Sequence, residues 1–220
     1  MSVPVLALDG PSGSGKGTIG QKIAATLEWH YLDSGAIYRG LAWLAKSEGV
    51  RSDDIVSLVQ LADSMELVCH IQSNDSAQIE INGEIITDAL RTDEAGQLAS
   101  EIAPIVQVRA ALLQMQRRCR KSPGLVADGR DMGTTVFPDA DFKVYLTASA
   151  EIRAKRRYDQ LKSKGFDVNL ARLLESIQSR DVRDSSREES PLKPADGATI
   201  LDTSDLSIDE VVTRIMDLID

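Results

Sequence analysis

The segment Gly10-Pro11-Ser12-Gly13-Ser14-Gly15-Lys16-Gly17-Thr18 constrains this chain more than any other, because both of its flanks are patterned. Val3, Val5, Leu6, Ala7 and Leu8 form an apolar run long enough for one buried strand. Beyond the loop, Ile19, Ile23 and Leu27 recur at i, i+4 and i+8, the stripe of an amphipathic helix. In the setting of strand, glycine-rich loop and helix, G-x-x-x-x-G-K becomes a cradle for the phosphates of a nucleoside triphosphate. Backbone N–H groups line the loop, the helix N-terminus adds partial positive charge, and Lys16 reaches the β- and γ-phosphates. One position departs from the commonest motif. Gly17 stands where Ser or Thr usually ligates Mg²⁺, and the hydroxyl comes one residue later, on Thr18, which leaves metal and phosphate oxygen both open as its partner.

A chain of 220 residues can bury one substantial core, or a core with a small inserted lobe. Its 42% hydrophobic and 27% charged content are those of a soluble globular protein. No apolar stretch reaches the ~20 residues of a membrane span, and the first apolar run is short and lacks a basic leader. Cys69 and Cys119 are far apart with no C-x-x-C, so both are expected as reduced, buried thiols of a cytoplasmic protein. A net charge of −9 argues against polymeric nucleic acid as a partner. Positive charge is nonetheless concentrated, with 12 of the 16 arginines between Arg109 and Arg187. That distribution suits a small, highly charged anion held in a cleft.

The rest of the chain alternates strand and helix. His30-Tyr31-Leu32 reads as a second strand, Leu125–Ala127 as a third, Phe142–Leu146 as a fourth and Thr199–Leu201 as a fifth. Helices are predicted at Ala36–Ala45, Ile55–Met65, Asp93–Ala103, Val106–Arg118, Ala150–Lys162, Leu170–Arg187 and Ile208–Ile219. The expectation is an α/β fold, a five-stranded parallel sheet with helices on both faces, whose ligands gather at the carboxyl ends of the strands. Between about residues 66 and 88 the period changes to alternation, with turn signals at Asn74-Asp75 and Asn82-Gly83, so a small antiparallel sheet interrupts the core. The division expected is one unit over 1–220, with 1–62 and 106–220 as core, 63–105 as an insert and 153–167 as a lid.

Three constellations carry chemistry. Asp128 closes an apolar strand, where P-loop proteins place the acid that orients Mg²⁺ or its waters. Leu173, Ile177, Arg180, Asp184 and Arg187 follow one another at spacings of four, three, four and three, so they are expected on one helix face. That face starts apolar and therefore turns its Arg-Asp-Arg end inward, toward an internal ion-pair network or toward a ligand bearing hydroxyls and phosphate. Arg153, Arg156 and Arg157, followed by Lys162, Lys164 and Gly165, have the make-up of a lid over transferring phosphates. His30 and His70 have no partner at metal-ligand spacing and are assigned no chemistry.

The G-K-G-T variant resembles that of nucleoside-monophosphate kinases more than that of GTPases. Together with Leu32-Asp33-Ser34-Gly35-Ala36-Ile37-Tyr38-Arg39, Ala127-Asp128-Gly129-Arg130-Asp131-Met132-Gly133-Thr134 and Arg180-Asp181-Val182-Arg183-Asp184, it closely resembles the bacterial cytidylate kinases. The likeness spans nearly the whole chain. It implies transfer of the γ-phosphoryl of ATP, with Mg²⁺, to CMP or dCMP, and makes the insert the monophosphate-binding lobe of a monomeric enzyme. By the same resemblance Arg39 and Arg130 clamp the acceptor phosphate, and Ser100, Arg109 and Asp131 read the cytosine edge. Arg180 and Asp184 hold the ribose hydroxyls with Arg187 beside them, while Ser34 and Tyr38 complete the acceptor site. Lys16, Asp33, Arg39, Arg130, Arg153 and Arg157 make up the catalytic set, and Asp128 and Thr18 serve the metal, directly or through water. No covalent nucleophile is needed, because the acceptor is already an anionic phosphate. UMP or AMP is the alternative acceptor. A GTPase switch would require Asn-Lys-x-Asp, and no Asn-Lys pair occurs.

Overall fold

The computed structural model describes residues 2–71, 77–90, 92–163 and 165–219. The turn expected at Asn74-Asp75, Lys164 of the expected lid and the side chains of Cys69 and His70 lie outside the described residues. The apolar run before the glycine-rich loop becomes β1 (Val5–Asp9), every residue of which is buried. Its side chains alternate between two cores. Val5 and Ala7 join Leu41, Leu58 and Leu112 on one face. Leu6 and Leu8 join Ile19, Ile23, Val211 and Ile215 on the other. Each fully buried aliphatic side chain contributes about 1.5–3 kcal/mol, enough to hold a five-residue strand at the centre of the sheet.

Around β1 stand β2 (His30–Asp33), β6 (Leu125–Asp128), β7 (Phe142–Thr147) and β8 (Thr199–Asp202), in the order β2-β6-β1-β7-β8 and all parallel. A second sheet, β3 (Leu67–Ile71), β4 (Ala77–Ile81) and β5 (Glu84–Ile85), is antiparallel, with Asn82 and Gly83 at the β4–β5 turn. Ile79 and Ile81 bury its inner side in the same core as Leu41 of α2 (Ser34–Ser47). The remaining helices are α1 (Lys16–Leu27), α3 (Ile55–Ser64), α4 (Thr87–Leu90), α5 (Asp93–Ile102), α6 (Val106–Arg118), α7 (Ala150–Ser163), α8 (Leu170–Ser185) and α9 (Ile208–Met216). Both the parallel sheet and the antiparallel interruption thus agree with the sequence pattern.

Several boundaries move for local reasons. Helix α2 starts at Ser34 rather than Ala36, because the Asp33 side chain accepts from the Ala36 amide and caps it. Helix α8 stops at Ser185, so Arg187 is not on the helix face as expected. There the chain folds back, and the Leu192 amide donates to the Asp184 carbonyl at 2.8 Å. Cys119, expected to be buried, is half-buried at the end of α6, its thiol 3.5 Å from the Met115 carbonyl. The short α4 and a π-helical turn over Met132–Val136 have no counterpart in the periodicity. In that turn the Val136 amide reaches the Asp131 carbonyl at 3.1 Å and the Phe137 amide reaches the Met132 carbonyl at 2.7 Å. Among the described residues, no helix is long and apolar enough to cross a membrane.

The chain leaves β1 through Gly10 at φ 147°, and a Cβ there would stand 2.0 Å from the backbone oxygen of Leu146. Neither the φ nor the neighbouring strand can yield cheaply. Gly10→Ala is therefore expected to lower the unfolding free energy by about 1–3 kcal/mol, measured as a drop in the urea midpoint. An unchanged midpoint would show that β1 and β7 part there without cost.

Candidate active site

The last residues of three adjacent strands are acids: Asp9 on β1, Asp33 on β2 and Asp128 on β6. Parallel register places Leu8 and Asp33 both opposite Asp128. Next to them α1 begins at Lys16, capped by Gly15 at φ 93° and by no side chain. An N-terminus without a side-chain cap leaves its first amides facing outward, where they bind anions. The loop from Gly10 to Thr18 therefore has the geometry of a phosphate cradle. Ser14 Oγ donates to the Pro11 carbonyl at 3.0 Å and stiffens it.

Lys16 is 5% exposed. Its Nζ donates to the Pro11 carbonyl at 2.8 Å and to Ser14 Oγ at 3.3 Å, curling over its own loop. Burial pushes its pKa from 10.5 down to about 7, and the Arg130 charge adds to the shift against the pull of Asp128 and Asp9. Asp128 accepts from the Tyr31 hydroxyl at 3.0 Å, and burial raises its carboxyl well above the usual range. A Cβ on Gly17 would stand 3.6 Å from Asp128 Oδ2, whereas Thr18 has an exposed side chain. It is position 17, not 18, that faces the strand-end acid.

Opposite the loop lies a cluster of arginines. Asp184, 1% exposed, is the carboxylate at its centre. Arg130 Nε lies 3.2 Å from Oδ2, Arg180 Nε lies 3.8 Å from Oδ2, and Arg187 donates to Oδ1 in a tight contact. Three guanidinium groups on one carboxylate leave an excess of positive charge in a poorly solvated place. Burial, then Arg130, pushes Arg180 down to about 10, and burial lowers Arg187 as well. The Nε atoms of Arg180 and Arg187 and the Oγ of Ser100 are buried without a hydrogen-bond partner. Such orphaned donors mark where a ligand completes the site.

The remaining acceptor-side residues are paired as well. Arg109 donates to Asp131 in a tight contact and to the Ala103 carbonyl at 3.1 Å, and its guanidinium carbon stands 5.9 Å from the Tyr38 ring centroid. Arg39 donates to Asp33 at 2.9 Å, and Ser34 Oγ donates to Gln116 Oε1 at 2.8 Å. The α7 arginines divide. Arg153 is buried and donates to the Ser12 carbonyl at 2.9 Å and to Asp181 at 3.0 Å, so it braces the phosphate loop from behind. Arg156 donates to Thr203 Oγ1 at 3.0 Å, and Arg157 donates to Gln160 at 3.0 Å within its own helix.

A family model described as cytidylate kinase matches residues 6–220. The chain belongs to the cytidylate kinase family. A cytidylate kinase of Colwellia psychrerythraea is 51% identical over 215 residues, covering 98% of this chain and 95% of that relative. One of Methylococcus capsulatus is 54% identical over 211 residues, covering 96% and 94%. A crystal structure of an uncharacterized protein from Eubacterium ventriosum superposes with a TM-score of 0.52 at 12% identity over 99% of this chain and 98% of that one, a likeness of fold alone. This cytidylate kinase chain also uses residues that the sequence pattern passes over. Asp9, Tyr31, Gln116, Asp181 and Thr203 all bond to the loops or side chains just described. Asp9 alone carried a signal, a charged residue closing a fully apolar strand.

The lowered Lys16 pKa sets a pH dependence. Between pH ~7 and ~10.5 the unfolded chain carries a proton on this lysine that the folded chain lacks, so stability grows as pH rises through that window. Relative to Lys16→Met, the wild type should gain up to about 1.4 kcal/mol per pH unit there, read from urea unfolding at pH 7, 8 and 9. A difference that stays flat would place the Lys16 ammonium in water.

Proposed function

We infer that this protein transfers the γ-phosphoryl of ATP to CMP or dCMP. The observation that carries the reading is the arginine cluster around Asp184, with its unpaired buried donors, set across from a phosphate loop. The cluster is close enough for Arg130 and Arg180 to depress the Lys16 pKa. One anion site serves the donor and the other the acceptor, and the Arg109–Asp131 pair beside the second presents donors and an acceptor to a base. Cytosine offers a complementary amino group, ring nitrogen and carbonyl.

In the reaction an oxygen of the acceptor phosphate forms a bond to the γ-phosphorus, and the bond from that phosphorus to the bridging oxygen of ADP breaks. Lys16 and the α1 amides hold the donor phosphates; Arg39 and Arg130 hold the acceptor phosphate in line. Arg180 and Asp184 hold the sugar, and Arg187, Ser34, Tyr38 and Ser100 close the acceptor pocket. Positioning and charge neutralisation supply the catalysis. Arg153 supports the loop at Ser12, and Arg157 serves the phosphates when the 153–167 lid closes, while 63–105 forms the acceptor lobe. Asp128 and Asp33, side by side at the strand ends, suit a hard divalent cation that keeps most of its waters, whereas the exposed Thr18, which does not face Asp128, suits a phosphate oxygen better than this cation. Mg²⁺ bound there offsets negative charge on the transferring group. A single chain acting on small nucleotides in the cytoplasm completes this reading, and the net charge of −9 argues against a polymeric nucleic acid in their place.

The deciding experiment is a coupled ADP-release assay with ATP against CMP, dCMP, UMP, AMP and GMP. CMP should exceed UMP in kcat/KM by well over tenfold, because uracil leaves buried polar groups of the base site unpaired. Equal values would remove Arg109 and Asp131 as base readers, and turnover confined to AMP would replace the acceptor.

Asp184→Ala separates ligand binding from internal pairing. As a ribose ligand, Asp184 accepts from the 2′-hydroxyl that only CMP carries, so kcat/KM should fall by about 1.5–3 kcal/mol more for CMP than for dCMP. An equal loss on both substrates, together with a lower Tm, would make Asp184 a counter-ion for the three arginines only.

A further inference from the structure

The turn that follows Asp131 is capped from elsewhere in the chain. Asp131 occupies the cap position of the Met132–Val136 turn, yet its side chain makes no capping hydrogen bond. An aspartate at a helix cap ordinarily turns its carboxylate back onto the first free amides. Here the first two of those amides are already taken. Asp9 Oδ1 accepts from the Met132 amide at 2.8 Å, and Asp9 Oδ2 accepts from the Gly133 amide at 2.8 Å. The Asp131 carboxylate meets Arg109 instead. Asp9 is 3% exposed, at the last position of β1 before the phosphate loop. The other end of the segment is pinned to the same strand, since the Gly129 amide donates to the Leu8 carbonyl at 2.9 Å. Arg130 and Asp131 are the two residues suspended between these attachments.

We propose that Asp9 is a positioning residue for acceptor selectivity: by capping the Met132–Val136 turn in place of Asp131, it holds the Asp131 carboxylate out for the base. The proposal rests on the reading of Arg109 and Asp131 as base readers. Its physical content is a competition between two carboxylates for the same backbone donors. The two backbone bonds offset part of the cost of burying the Asp9 carboxylate, which burial still holds above the usual carboxylate range. With the Asp9 carboxylate removed, the Gly133 amide would be open to the Asp131 side chain, since a cap residue ordinarily bonds the second or third amide of its helix. Withdrawal of Asp131 would loosen base recognition while leaving the donor loop in place.

The test compares wild type, Asp9→Ala and Asp9→Asn in steady-state kinetics with ATP, CMP and UMP. In the Ala variant KM for CMP should rise at least tenfold and the preference for CMP over UMP should shrink at least tenfold, with KM for ATP within threefold. The Asn variant, which keeps one accepting oxygen, should fall between. A purely structural role predicts instead that CMP and UMP suffer alike, or that both KM values rise together, and either result overturns the proposal. Amide hydrogen exchange on the unaltered protein adds a test that needs no variant. Met132 and Gly133 should be protected with and without CMP, and rapid exchange in the free protein would overturn the proposal even if both variants fail to fold. A wild type with no preference for CMP removes the reading on which the inference rests. A wild type with that preference and an Asp9→Ala enzyme that retains it overturns the inference alone.

Discussion

Alignment of the strand ends governs this molecule. Strand β1 is buried on both faces between β6 and β7, and its parallel register with β6, and that of β6 with β2, brings Asp9, Asp33 and Asp128 to one edge. The phosphate loop can begin only there, because the chain must turn sharply at Gly10 under the Leu146 carbonyl. Lys16, the acids and the arginines then share a small, poorly solvated volume. Interactions between charges are strong in such a place, and so is the cost of leaving any of them unbalanced.

That cost shapes the site. Asp184 serves three guanidinium groups and cannot neutralise them all, which leaves buried nitrogens without partners. Lys16 is pushed toward its neutral form for the same reason. On the proposed reading, the donor and the acceptor nucleotide each supply the missing negative charge to one of the two clusters. The free protein is thus electrostatically incomplete, and the binding of two anionic substrates repairs it. On that reading, catalysis by positioning follows from this, since charged groups that are already desolvated need little reorganisation to meet a transferring phosphoryl.

The supporting bonds run between residues far apart in the chain. Arg153 of α7 holds the Ser12 carbonyl, Tyr31 of β2 holds Asp128 of β6, and Asp9 of β1 holds the turn after Asp131. Each uses a polar group from one strand end or helix to set a neighbour from another. The phosphate loop and the segment around Asp131 are thereby tied into one framework, although their residues stand more than a hundred positions apart. Arg153 illustrates the division of labour: expected over the phosphates, it is buried behind the loop, where its stem packs on Gly13.

Much of this was present in the sequence by itself. The alternation of apolar strands and amphipathic helices determined a parallel α/β core, and Asn82-Gly83 between two alternating runs determined the β4–β5 turn, because both are local consequences of side-chain period and backbone φ. The flanks of the Gly10–Thr18 loop determined its setting between a buried strand and a helix N-terminus for the same reason. The spacing of Arg180, Asp184 and Arg187 already put these three together. Tertiary structure alone decided that Arg130 joins them, that Arg187 reaches Asp184 from beyond the end of α8, and that Asp9 bonds the turn that Asp131 would cap. Those pairings depend on which strand lies beside which, and on how far a buried charge can be from its counter-charge. Neither quantity is written in any short stretch of residues, since the partners meet only after the sheet has assembled and excluded water.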